Sequence, residues 1–314
     1  MRAVTISDGE LAWATRPDPV PGDTELLVAV RAAGLNAADL LQRRGRYPAP
    51  PGVPADIPGL ELAGEVVATG ARVSRFAPGD AVMALVGGGA QAELAVVDER
   101  VAMPVPDGMG WAEAGGFPEA FCTAHDALFR QCGLQLGERV LVTGAAGGVG
   151  TAAVQLAAAA GARPVASARN PAAHGILLEL GAASAAEPTD ALGEGPFDVV
   201  VELVGASSLP GVLGALATGA RVAVVGVGTG ARIELDLLAL MARRAAVSGA
   251  TLRARSVDEK GAVVAAVTRS VLPLAAAGRV RVPLAATVGM DAAPDAYEQF
   301  AAGGKIGKIV LVGP

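Results

Sequence analysis

Apolar and polar positions alternate along the first third of the chain, and Gly, Pro or Asp breaks the alternation every few residues. β-rich runs lie between these breaks at 2–6, 25–32, 60–69, 80–85 and 91–97. Leu26, Val28 and Val30 share one face, as do Leu62, Gly64 and Val66, which is the period of strands covered on one side. Runs at this spacing predict an antiparallel, barrel-like domain. Residues 36–44 are the one good helix candidate there. Near residue 118 the pattern changes. Short apolar strands, expected at 140–143, 164–167, 199–203, 221–226 and 246–251, alternate with Ala- and Leu-rich helices at about 151–161, 171–180, 207–217 and 234–243. That alternation predicts a parallel sheet wound on both sides by helices. A helix near 257–277, Pro-containing extended chain, a short helix at 292–301 and a last strand at 309–312 follow, and this tail is expected to return to the first domain. The expectation is an α/β fold of two domains, 1–117 with 262–314, and 118–261.

Composition narrows the function classes. Hydrophobic residues are 52% of the 314 and charged residues 18%, which excludes disorder by composition. A net charge of −6 argues against nucleic acid or an anionic membrane as partner. Two cysteines, Cys122 and Cys132, make neither a four-thiolate zinc site nor a disulfide scaffold, and two histidines leave little for a metal. Residues 1–15 carry no signal-peptide apolar core. Residues 140–162 hold no charge, but their Ala, Gly and Val content reads as strand, turn and buried helix rather than a membrane span. A cytoplasmic protein without metal is expected.

The chemistry-bearing motif is Val140-Leu-Val-Thr-Gly144-Ala-Ala-Gly147-Gly148-Val149-Gly150. An apolar strand runs into spaced glycines and an apolar helix follows at once, the pattern of a dinucleotide-binding turn. Gly144 permits the turn, Gly147 and Gly148 let backbone amides approach a pyrophosphate, and Gly150 packs helix on strand. The helix N-terminus adds partial positive charge. The second parallel strand ends Ser167-Ala-Arg169 with no carboxylate for ribose hydroxyls, so Ser167 and Arg169 are candidates for a 2′-phosphate, and NADPH is the expected cofactor. Gly226-Val227-Gly228 follows the fourth parallel strand and lines the nicotinamide end or forms a plain turn. Gly87-Gly88-Gly89, with no helix after it, reads as a flexible hairpin or lid.

With these pieces placed, the sequence resembles the medium-chain dehydrogenase/reductase superfamily, and within it the zinc-free quinone oxidoreductases. The stretches that carry the resemblance are Gly34-Leu-Asn36-Ala-Ala-Asp39, Arg46-Tyr47-Pro48, Pro58-Gly-Leu-Glu61, Pro118-Glu119-Ala-Phe-Cys-Thr123, the glycine loop and Gly304-Lys305-Ile-Gly307-Lys308. The resemblance implies a GroES-like β-barrel domain and a Rossmann domain, with the active site in the cleft between them. Asn36 stands where the zinc enzymes have a ligand cysteine, and Leu60 where they have a histidine. The function implied is metal-free hydride transfer from NADPH to a quinone. Asn36, Asp39 and Tyr47 would be catalytic, and Thr123, Val149, Gly205 and Lys305 would join the glycines, Ser167, Arg169 and Val227 around the cofactor. Other roles stand beside these: Asn36 as a helix cap, Asp39 as a structural acceptor, Tyr47 as a loop aromatic. An arginine of Leu252-Arg253-Ala-Arg255 faces the cofactor by the same resemblance, or lies in a solvated loop. The alternatives of function are reduction of α,β-unsaturated carbonyls, with Tyr47 as proton donor, and a non-catalytic NADPH-binding sensor. By analogy the strand at 246–251 pairs two copies into a homodimer.

Overall fold

Asp8 and Gly9, both at positive φ (49° and 82°), turn the chain back on itself in a two-residue hairpin. They join β1 (Arg2–Ser7) to β2 (Glu10–Thr15), registered from Ser7 opposite Glu10 to Arg2 opposite Thr15. This computed structural model describes residues 1–313. It divides into two units: Met1–Cys122 with the chain from Leu252 onward, and Thr123–Thr251. In the first unit β3 (Glu25–Gly34) pairs antiparallel with β4 (Glu61–Thr69), β4 with β5 (Ala81–Leu85), and β6 (Leu94–Asp98) with β3; β7 (Ala102–Pro104) extends β5. Leu26, Val28 and Val30 are the buried face of β3, as their alternation predicts. Helix α1 (Ala37–Arg43) follows β3 directly; α2 (Trp111–Gly115) and α3 (Pro118–His125) lead toward the second unit. The boundary between the units falls within α3, and a π-helical turn, Asp126–Gln131, follows it.

The second unit is built on six parallel strands, β8 (Arg139–Val142), β9 (Arg163–Ser167), β10 (Ser184–Ala186), β11 (Phe197–Glu202), β12 (Leu216–Val224) and β13 (Ala246–Gly249). Their spatial order is β10-β9-β8-β11-β12-β13, so the winding reverses between β8 and β11. The helices are α4 (Gly148–Ala159), α5 (His174–Glu179), α6 (Pro188–Gly193), α7 (Leu209–Gly214) and α8 (Leu237–Arg243). Leu141, Val165, Phe197, Val200, Val212 and Val222 form a core on this sheet. The uncharged stretch 140–162 is strand, glycine turn and helix, and among the described residues no helix is long and apolar enough to cross a membrane.

The chain then returns to the first unit through α9 (Val257–Ser270), capped by the reciprocal Ser256–Glu259 bonds, and α10 (Leu272–Ala276). After β14 (Leu284–Gly289) and α11 (Ala293–Ala302), β15 (Lys308–Val312) pairs parallel with β14 and antiparallel with β3. The tail is therefore part of the first sheet, ordered β14-β15-β3-β4-β5-β7. Residues 252–261 belong to this unit as well, because Arg253 is bonded to Gln42, Tyr47 and Gly87.

Candidate active site

Ligands of wound parallel sheets gather at the carboxyl ends of strands where the winding reverses. Here that point lies between β8 and β11, and the glycine loop leaves β8 at it. Gly144 takes φ +58°, and Gly147, in extended backbone, precedes the helix. The first bond inside α4 runs from Thr151 N–H to Gly147 O at 2.8 Å. The amides of Gly148, Val149 and Gly150 therefore lie before the helical ladder begins, with no acidic side chain in the first turn. A Cβ on Gly147 would touch only Gly144 O, at 3.7 Å, so the space above that amide is open. A Cβ on Gly150 would sit 2.6 Å from both Cα and O of Ala145. These residues fit a dinucleotide pyrophosphate: open room over the amides, close packing beneath, and the positive end of a twelve-residue helix.

The predicted neighbours converge on the same edge. Ser167 ends β9, buried, and its carbonyl accepts Ala145 N–H at 3.0 Å; Arg169 is exposed two residues on. Gly205, at φ +105°, approaches Val227 so closely that a Cβ would lie 2.7 Å from its Cα. Gly226 packs on Leu203, and Val227 and Gly228 are exposed beside it. Glu202, which the sequence reading passed over, organises this turn. Fully buried at the end of β11, it accepts Val204 N–H at 2.7 Å, Gly205 N–H at 2.8 Å and the Ser208 hydroxyl at 3.1 Å. Its signal was a single acid closing the Val-rich run Val199-Val-Val201. Thr123, in α3, is buried.

In the first unit a buried polar cluster forms where β3 ends, β4 begins and β15 crosses. Lys308 donates to Leu35 O at 3.0 Å, to Asn36 Oδ1 at 2.7 Å and to Glu61 Oε1 at 2.5 Å. Asn36 Nδ2 donates to the same carboxylate oxygen at 2.9 Å, and Glu119 N–H to Glu61 Oε2 at 2.9 Å. Asp39, fully buried, accepts Asn36 N–H at 2.8 Å and Gly59 N–H at 3.0 Å. Burial raises its carboxyl to about 6 against these bonds. Glu119 is pushed further, to about 8, by burial and by the Glu61 charge. The amide of Asn36 is thus committed to a lysine and a carboxylate, and Asp39 to backbone amides.

Tyr47 lies half-buried in the irregular chain between α1 and β4, with the Arg253 guanidinium 4.9 Å from its ring centre. Lys305 belongs to the first unit: its ammonium lies 4.3 Å from the Phe300 ring centre and donates to Gly307 O at 3.2 Å. Lys308 was missed as a site residue although its motif was read. Gly87 to Gly89 are held rather than loose, with Gly87 O accepting from Arg253 Nε at 2.8 Å and Gly89 N–H donating to Ile57 O at 2.9 Å.

Family models match this architecture in two pieces, an alcohol dehydrogenase GroES-like domain over residues 22–107 and a zinc-binding dehydrogenase over 148–269. The human protein named quinone oxidoreductase is 30% identical over 275 residues, 82% of each chain. The chain belongs to the medium-chain dehydrogenase/reductase superfamily. Within that superfamily, a thermostable alcohol dehydrogenase from Pyrobaculum aerophilum superposes with a TM-score of 0.86 at 29% identity, covering 99% of both chains. A stretch of erythronolide synthase EryA2 from Saccharopolyspora erythraea is 49% identical over 157 residues, which is half of this chain and 4% of the synthase. Members of the superfamily bind nicotinamide cofactors, and the glycine-loop geometry fits one. The donor set for zinc does not fit: Asn36 and Leu60 offer no thiolate or imidazole, Glu61 is bonded to Lys308, and no group of three His, Cys, Asp or Glu side chains stands together among the described residues.

Proposed function

We propose that this oxidoreductase is an NADPH-dependent quinone reductase that works without a metal. The observation that carries the reading is the closed cluster of Asn36, Glu61 and Lys308, in which an ammonium already neutralises the carboxylate. Without a Lewis acid, an unactivated ketone is hard to polarise, and an acceptor that is already electrophilic is the natural substrate. The likeness to proteins named quinone oxidoreductase, over 82% of the chain for the human one and 99% for that of Lama guanicoe, supports a quinone.

Bound NADPH supplies a hydride. The amides of Gly148, Val149 and Gly150 hold the pyrophosphate, and Ser167 and Arg169 take the 2′-phosphate. Glu202 keeps the turn at Gly205 in place. Asn36 and Asp39 keep α1 and β4 in register around Lys308. Tyr47 faces the acceptor; the other tyrosine, Tyr297, is fully buried and donates to Gln91 Oε1 at 2.9 Å. The protein acts as a homodimer and is cytoplasmic on this reading.

The test follows oxidation of NADPH and of NADH by an ortho-quinone, with and without a chelator. Chelator-insensitive turnover is expected, with NADPH preferred by roughly ten- to a hundredfold, the value of one charge-assisted hydrogen bond. Arg169→Ala should erase most of that preference. No turnover despite tight NADPH binding overturns the reading in favour of a sensor, and a chelator effect overturns its metal-free part. A second reading, reduction of an α,β-unsaturated carbonyl, is favoured by the 42% identity over 157 residues to a stretch of a protein named pikromycin polyketide synthase component, since polyketide chains carry carbonyl groups. Tyr47→Phe separates the two, because an enone needs a proton at the neighbouring carbon and a quinone does not.

A further inference from the structure

Arg253 is a charged side chain only 5% exposed, so its burial has to be offset by the groups it meets. It meets three separate segments of the first unit. Nη1 donates to Tyr47 O at 2.8 Å, Nε to Gly87 O at 2.8 Å and Nη2 to Gln42 Oε1 at 2.5 Å. Its guanidinium carbon also lies over the Tyr47 ring, 4.9 Å from the ring centre. Residues 44–60 form no helix or strand, and an irregular run of that length does not hold an aromatic ring still by its own backbone bonds. Gln42 extends the tether, since its Nε2 donates to Ala55 O at 3.1 Å on the far side of the same run. The Gly87 end is packed from the same side: a Cβ there would touch Pro50 and Val53 at 3.1 Å.

We propose that Arg253 is a positioning residue: by bonding Gln42, Tyr47 and Gly87 at once and lying on one face of the Tyr47 ring, it fixes that ring as a platform on which a flat, conjugated acceptor stacks. The inference rests on the reading of Tyr47 as the acceptor-side residue. The chemistry suits arginine and not lysine. Three donors diverging in one plane reach three carbonyl oxygens, and the flat face is left for the ring. An ammonium at the same place presents one point charge. A platform of this kind selects by shape, and it admits planar acceptors such as quinones and aryl enones over branched, saturated carbonyl compounds.

The experiment uses the full chain and two variants, Arg253→Lys and Tyr47→Ala. Hydrogen–deuterium exchange is followed by mass spectrometry without substrate, and binding of anthraquinone-2-sulfonate, a flat and poorly reducible probe, is measured beside NADPH binding. In Arg253→Lys, exchange over residues 44–56 and 86–90 should rise at least fivefold while residues 140–167 stay as in wild type. The anthraquinone Kd should rise about tenfold with the NADPH Kd unchanged. Tyr47→Ala should weaken the probe to the same degree, and the double variant should be no worse than either single one. Unchanged exchange over 44–56 in Arg253→Lys overturns the tether. Raised exchange with unchanged probe binding overturns the platform. Failure of quinone turnover in the wild type touches only the proposed function, because both readouts are taken without turnover.

Discussion

Glu119 carries a proton where most carboxyls have none. Its neighbours Glu61 and Asp39 repel its charge, Lys308 and Lys260 attract it, and burial outweighs both, so it titrates at about 8 in place of the ordinary 4.5. Between those values the folded chain keeps a proton that the unfolded chain has released. Stability from this group therefore falls as pH rises from about 4.5 to about 8, and levels off above. Asp39, raised from 3.8 to about 6, acts in the same direction over the lower part of that window. Glu119→Gln keeps the size of the side chain and has no charge to suppress. Its Tm should match wild type near pH 4.5 and exceed it by a growing margin up to about pH 8. A margin that does not change with pH would mean that folding leaves the titration of Glu119 unshifted. The same cluster shows what single residues withhold from a sequence reader. Lys305 and Lys308 stand three apart in one glycine-rich motif. Which of them turns inward is decided by positive φ at Gly303, Gly304 and Gly307, a local twist with no periodicity to betray it.

Elements were more legible than residues, because burial on one side imposes a period that propensity cannot hide. The strands β3, β4, β5 and β8 and the helix α4 stand within a few residues of their expected bounds. The losses have specific causes. β10, Ser184–Ala186, and α6, Pro188–Gly193, are too short for any period to build up, and an alanine-rich sequence flattens the contrast between strand and helix. β2 could have been read from the Asp-Gly turn before it, the strongest short-range hairpin signal, but its own residues alternate weakly. The strand–turn–helix unit of β8 and α4 also makes a sharp prediction. Gly150→Ala drives a methyl against the backbone of Ala145, so the loop 144–148 must shift. Overpacking of this order costs about 1–3 kcal/mol, and NADPH binding should weaken at least tenfold. Gly175→Ala in α5, where a Cβ meets nothing within 4 Å, should instead add about 0.5–1 kcal/mol by removing glycine's flexibility. Urea unfolding and NADPH fluorescence titration measure both. A Gly150→Ala protein that binds NADPH like wild type would remove the glycine loop from the cofactor site.

At the scale of the whole molecule, α8 does not bury a single residue, although its sequence is Leu237-Leu-Ala-Leu-Met-Ala-Arg243. Leu237, Leu238 and Met241 are 63%, 75% and 69% exposed, and Val247 on the adjoining strand β13 is exposed with them. β13 ends the parallel sheet with β12 on one side and, among the described residues, no strand paired on the other. An open strand edge beside an apolar helix is a liability in a free monomer. The proposed homodimer would remove both faults at once: β13 would pair antiparallel with its own copy about a two-fold axis, the two six-stranded sheets would become continuous, and the leucines of α8 would meet their equivalents. Light scattering on the eluting peak should give twice the chain mass at micromolar concentration. Leu238→Glu with Met241→Glu should give a single chain mass, with the Kd for NADPH kept, since neither residue lies near the glycine loop in sequence or belongs to its turn. A wild-type protein that elutes as a monomer would leave the apolar face of α8 to some other partner and would remove the homodimer from the proposed function. A double variant that stays dimeric would move the interface away from this edge.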